Sequence, residues 1–354
     1  MATNDCKPNK QRAGVPAEVI FNPNWWFKEY GIRFDESFYF DRECRIQNDV
    51  KMRSVLYERF GIGTANPAPR PVIGSEHVAG GFVVPALFGV MFRFTEGEAP
   101  WPVARQLSRE EARALRVPEI ENTWPMSRLI EDMDWLEKQF GYVVGDFNTD
   151  GVLNTALHLR GQQFFLDLQE DPELVSHLCT VIMQTQCHVA EYVRSRTGAC
   201  SVGVNRSIVN VDRAIYVHAN CSVHMISPKL YARTLLGFDC ALAERLRPYG
   251  IHHCGNNMHL FAEIYARTGA VFYDVGWGSG VGRCNQALPE AFLNLRLCPM
   301  RMLVCSADEM RGDAERLLAE SGRKTRVGLC CINIDYGTPD ANVLAMLAAA
   351  RSWA

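Results

Sequence analysis

Two side chains in the stretch Ile251-His252-His253-Cys254-Gly255 can do chemistry that an ordinary core segment cannot. Ahead of it, Ser227-Pro228 opens an amphipathic run that ends at Pro248-Tyr249-Gly250. Behind it, Gly255-Asn256-Asn257 breaks the chain before a helical pattern resumes over 258–268. A short apolar-to-polar segment framed in this way reads as a β-strand running into a loop. Side chains at i and i+2 leave a strand on one face, about 7 Å apart at Cα. His252 and Cys254 therefore point the same way, and His253 points to the other face as a packing histidine. A neutral imidazole and a thiolate converging at a strand end supply two of the three protein ligands of a catalytic zinc site. The third must come from elsewhere in the chain.

Other reactive types stand at comparable places. The last apolar segment, Val327-Gly328-Leu329-Cys330-Cys331-Ile332-Asn333, carries adjacent cysteines toward its C-terminal half. Neighbours on a strand face apart, so only one of the two can share a face with His252 and Cys254. Asp274 ends an apolar run, 270–275, just before the turn Gly276-Trp277-Gly278-Ser279-Gly280. There it can hydrogen-bond a substrate, tune a metal or merely cap the turn. Trp277, Asn333, His218 and His224 are further candidates to line a substrate site. The glycine-dense turn lacks Gly-x-Gly-x-x-Gly spacing, which argues against a nucleotide loop.

Something must bring these groups together. The last third of the sequence alternates strands at 251–254, 270–275, 291–297 and 326–334 with helices long enough for right-handed crossovers, which predicts a parallel sheet. Earlier strand candidates lie at 82–94, 142–147, 202–204 and 214–217. About eight strands in all favours a (β/α)8 TIM barrel over an open doubly wound sheet. In such a barrel the C-terminal strand ends meet over one mouth, where catalytic groups gather. Residues 1–66 read as an N-terminal extension, rich in aromatics over 21–40, and 67–354 as the barrel, joined through a proline-rich stretch. The aromatic arm is expected to close one end of the barrel or to enclose substrate.

Composition narrows the partners. Of 354 residues, 47% are hydrophobic and 22% charged, and the net charge of −3 gives no electrostatic reason to expect nucleic acid. No apolar run approaches the length of a membrane span, and the first residues lack an apolar signal core. Thirteen cysteines at irregular spacings, an odd count, point to free thiols or metal ligands in a reducing compartment, so a cytoplasmic location is expected. Cys179, Cys187 and Cys240 fall in helical patterns and read as small buried hydrophobes.

Taken together, His252-His253-Cys254-Gly255, the distant Cys330-Cys331 and the following Thr338-Pro339-Asp340-Ala341-Asn342 resemble the uroporphyrinogen decarboxylase superfamily. Within it the chain is most similar to the zinc-dependent methyltransferases that serve corrinoid proteins. Leu159-Arg160-Gly161, Asp171-Pro172-Glu173 and Ile226-Ser227-Pro228 with Tyr231 add to the likeness, which covers about 140–354 and reaches the N-terminal arm poorly. The resemblance implies Zn2+ on His252, Cys254 and a C-terminal cysteine, and its separation favours Cys331 over Cys330. It implies transfer of a methyl group between a corrinoid and a small thiol, ether or amine. No Asp-x-His-x-x-Gly cobalamin signature occurs in the chain, so the corrinoid (methylcobalamin or a corrinoid protein) would come from outside. A metal-free decarboxylase-like lyase is the alternative, weakened by the absence of a Met-Arg-Gln-Ala-Gly-Arg-type N-terminal motif. A non-enzymatic barrel that binds tetrapyrrole or corrinoid is the third reading.

Overall fold

The computed structural model describes residues 14–74, 81–199 and 214–353. In chain order its strands are β1 (Ala17–Phe21), β2 (Val72–Gly74), β3 (Met91–Arg93), β4 (Trp101–Val103) and β5 (Val144–Asp146). They continue with β6 (Tyr216–Ala219), β7 (Tyr249–His253), β8 (Phe272–Val275), β9 (Phe292–Arg296) and β10 (Val327–Ile334). Six of them form one parallel sheet in the order β1-β10-β9-β8-β7-β6. β2 and β5 form a separate parallel pair, and β3 with β4 an antiparallel hairpin. The candidate strand at 202–204 lies outside the described residues.

The expected closed eight-stranded barrel is therefore not what the backbone hydrogen bonds draw. The sheet is a curled half-barrel of six strands, with the β2–β5 pair apart from it among the described residues. Both members of that pair are three residues long, and glycines at φ +65° (Gly74) and +100° (Gly145) turn the backbone out of the extended region. Gly74 passes so close to the Asp146 carbonyl oxygen that a Cβ there would collide with it. The apolar run 82–94, expected as one strand, splits into the helix Val83–Leu87 and β3. Pro85 sits in the first turn of that helix, where its missing N–H costs nothing.

The aromatic arm is another departure. Ala17–Phe21 is an edge strand of the large sheet, paired in parallel with β10 across almost the whole chain. The helices Pro23–Tyr30, Glu36–Phe40 and Arg42–Phe60 follow it. Phe21, Trp25, Trp26 and Phe34 are buried, and Phe21 stacks on Trp25 with ring centroids 4.0 Å apart. These rings are core rather than the walls of a substrate chamber. Aromatic side chains bury the most area per residue, and the arm spends that area on the sheet.

Register sets what the inner face of the sheet presents. Val217, Phe272 and Phe292 share a layer, with the two phenyl rings stacked at 5.7 Å. Two residues further along the strands, Ala219, His252, Asp274, Asn294 and Gly328 stand in line. Above them Arg296, Cys330 and Glu18 form a third row. Over these three rows the inner face changes from apolar to polar. The larger core lies on the other face, between sheet and helices.

Candidate metal centre

All five residues of β7 are buried, and its alternation does what the period requires. His253, on the outer face, is held by Tyr265 Oη on Nδ1 and Asn257 Oδ1 on Nε2, both at 2.9 Å. Burial drives its pKa down to about 4, so it is a neutral packing group. His252 faces inward. Its Nδ1 lies 2.7 Å from Oδ2 of its register partner Asp274, whose Oδ1 accepts from Asn294 Nδ2 at 3.0 Å. A carboxylate can only accept here, so Nδ1 carries the proton and Nε2 keeps its lone pair. Metal-binding histidines are oriented in this way. Asp274 is accordingly a group that acts through His252.

The partner of His252 and Cys254 is Cys221. Ala219 and His252 are register partners, and Asn220 N–H donates to His252 O at 2.9 Å, so the pairing runs on past the end of β6. This carries Cys221 alongside Cys254, whose Sγ lies 3.7 Å from the Cys221 carbonyl oxygen. The ligand atoms of Cys221, His252 and Cys254 all lie within 4.8 Å of one another. The Cys221 thiol hydrogen-bonds the Cys254 sulfur, which outweighs burial and, with His252 and Arg296 beside it, holds Cys254 well below the usual thiol range. The same bond, reinforced by burial, pushes Cys221 up. Two sulfurs and one imidazole nitrogen make a borderline-soft donor set. Three such ligands with an open fourth position suit catalytic zinc. The residues fit the ion.

Cys331, the expected third ligand, is not in this group. Its register partner is Val19 and its side chain is buried in the core outside the sheet, where desolvation pushes the thiol up to about 12. Cys330 is the inward member of the doublet, paired with Arg296 and Glu18 and packed with Ile20 and Ile332. The choice within the doublet turns on a strand parity that spacing between motifs cannot supply.

The remaining candidates separate. His218 is buried, accepts Val152 N–H on Nε2 at 3.0 Å and faces Asp239 Oδ1 at 3.0 Å, so it pins the start of the helix Val152–Arg160. His224 is exposed and bonds the Cys221 carbonyl through Nδ1 at 2.6 Å, bracing the ligand loop. Trp277 lies against the guanidinium groups of Arg316 and Arg301, 5.3 and 6.0 Å from its ring. Asn333 bulges from β10 at φ +65°, because Ile20 pairs with Ile332 and Phe21 with Ile334. It lines a cleft of about 890 Å³ between the ends of β1 and β10 and the β3–β4 hairpin, together with Phe27, Lys28, Trp101 and Asp335.

Two site residues escaped the sequence reading, Cys221 and Arg296. Cys221 follows a segment read as a strand over 214–217, and extending that strand by four residues would have reached it. Arg296 ends β9, and its Nη1 lies 3.3 Å from His252 Nε2.

No family model matches the chain, and no curated protein matches it. Among solved structures it is similar to a methyltransferase from Methanosarcina mazei, over 96% of this chain and 94% of that one, with a TM-score of 0.69 and 14% sequence identity. At that identity the likeness is one of fold. No helix among the described residues is long and apolar enough to cross a membrane.

Proposed function

We propose that this chain is a zinc-dependent methyltransferase that moves a methyl group between a corrinoid and a small thiol, ether or amine. The observation that carries the reading is the convergence of Cys221, His252 and Cys254 at the C-terminal ends of adjacent parallel strands. In parallel α/β folds that end is where active sites lie. The fold likeness to a methyltransferase is consistent with it.

His252 would bind through Nε2, held in that tautomer by Asp274, and Cys221 and Cys254 would bind as thiolates. When bound, zinc acts as a Lewis acid that draws charge from a substrate heteroatom or stabilises a substrate thiolate at neutral pH. Both cysteines would bind as thiolates, so loading would release protons and weaken as the pH falls. Asn294 fixes Asp274 from the far side, so the imidazole plane is set before any ligand arrives. The segments after β6, β7, β9 and β10 expose Met225, Leu260, Met300, Val304 and Tyr336 around the strand ends. A large flat corrinoid, free or carried on its own protein, would pack against exposed apolar side chains of this kind.

The test is metal analysis of the purified chain, followed by methylcobalamin absorbance across thiols, methoxy compounds and amines. About one zinc per chain with cobalamin demethylation by one class of substrate supports the reading. A chain that holds no zinc even after incubation with it overturns it.

A further inference from the structure

Among the described residues, Arg296 stands at the centre without an acidic partner. It ends β9 on the same inner face as Asn294, one row above the His252–Asp274–Asn294 line. Among the described residues no carboxylate oxygen comes within ion-pair distance of it. Among these residues its one hydrogen-bond contact is Nη1 to His252 Nε2 at 3.3 Å, and its buried Nε has no partner. A guanidinium has five N–H donors and stays charged at any physiological pH. A buried donor left unmade is costly, and more so on a charged group. Moreover, the acceptor it uses, His252 Nε2, is the atom assigned above to the metal, as are the sulfurs of Cys221 and Cys254 beside it. Glu18, in the same row, does not pair with Arg296 either: its Oε2 accepts from Asn294 Nδ2 at 3.2 Å.

Resting on the metal reading, we infer that Arg296 binds the anionic end of the substrate, and that this end is a carboxylate. The fork of Nε and Nη donors matches two coplanar oxygens, which a carboxylate presents. Because the guanidinium and the metal ligands meet at one imidazole edge, acid and reacting heteroatom belong to one small molecule with a short spacer. Arg296 is then the residue that selects acids over neutral analogues.

Calorimetric titration of the zinc-loaded chain with 3-mercaptopropionate, its methyl ester and 3-mercaptopropane-1-sulfonate tests this. The acid is expected to bind at least about tenfold more tightly than the ester, the size of one charge-assisted contact. The sulfonate is expected to fall between them. Arg296→Met should bring the acid down to the level of the ester with zinc content unchanged, and Arg296→Lys should keep part of the preference. Equal binding of acid and ester by the natural chain overturns the inference, as does an undiminished preference in Arg296→Met. Propionate, which has no thiol, separates this from the metal reading: it should bind the natural chain and not Arg296→Met whether or not zinc is present. No propionate binding with zinc in place sinks the arginine assignment and leaves the metal centre standing.

Discussion

Cys221 and Cys254 lie side by side because Ala219 and His252, two residues before each, are register partners on β6 and β7. The pairing makes them near neighbours although 33 positions separate them in the chain. The candidate centre is therefore built from two adjacent strand ends rather than from opposite sides of a closed barrel.

Single replacements decide the ligand set. Cys221→Ala, His252→Ala and Cys254→Ala are each expected to remove most bound zinc by elemental analysis, with the far-ultraviolet circular dichroism of the sheet retained. Cys331→Ala and Cys330→Ala are expected to keep the metal. Zinc lost from Cys331→Ala but kept in Cys221→Ala would reverse the assignment.

Asp274 is expected to act on a bound metal through His252, which it contacts at 2.7 Å. Asp274→Asn is expected to weaken zinc by about 10–100-fold, the usual range for an outer partner of a histidine ligand. Competition with a chromophoric chelator gives the ratio. An unchanged ratio would leave Asp274 as a purely architectural contact of β8.

Three cysteines away from the centre report on alkaline stability. Burial, the largest influence on each, pushes Cys187 up to about 11 and Cys284 and Cys331 to about 12. In the unfolded chain these thiols ionise near pH 8.5. Between that pH and their folded values the folded state holds more protons, so stability falls as pH rises and is unaffected below the window. Each thiol contributes a slope of about 1.4 kcal/mol per pH unit at most. Urea melts from pH 8 to 10 should show the decline, and replacing Cys187 and Cys284 by Ala should flatten it.

The aromatic arm is expected to be required for folding. Trp26 is fully buried and meets Trp25 edge to face at 4.8 Å, so Trp26→Ala should cost about 3–5 kcal/mol. Deleting residues 1–45 removes β1 from the sheet and should abolish the cooperative thermal transition. A truncated chain that melts cooperatively would return the arm to the periphery.

Much of the site was legible one strand at a time. The period of two put His252 and Cys254 on one face and His253 on the other, and the strand-then-glycine pattern placed Asp274 at a strand end. The alternation in the last third gave the parallel order of β7, β8, β9 and β10. Local caps follow the same logic: Ser306 and Glu309, three residues apart, form a capping box at the start of the helix Ala307–Ser321. All of these follow from interactions within a few residues of chain, where residue type and backbone period decide the outcome.

What depends on pairing between strands was decided only by the tertiary structure. Cys221 becomes a ligand candidate because β6 and β7 pair at Ala219 and His252, and a shift of one residue would have turned it away. Cys330 faces inward and Cys331 outward through the register of β10 against β9 and β1. Arg296 reaches His252 across the intervening β8, a contact that no local pattern encodes. The arm is core because β1 pairs with β10 at the other end of the chain. Sequence alone set the chemistry each strand end carries, since side-chain type and alternation are local. Which strand ends meet was left to register, because the energy that fixes it comes from burying the whole inner face at once.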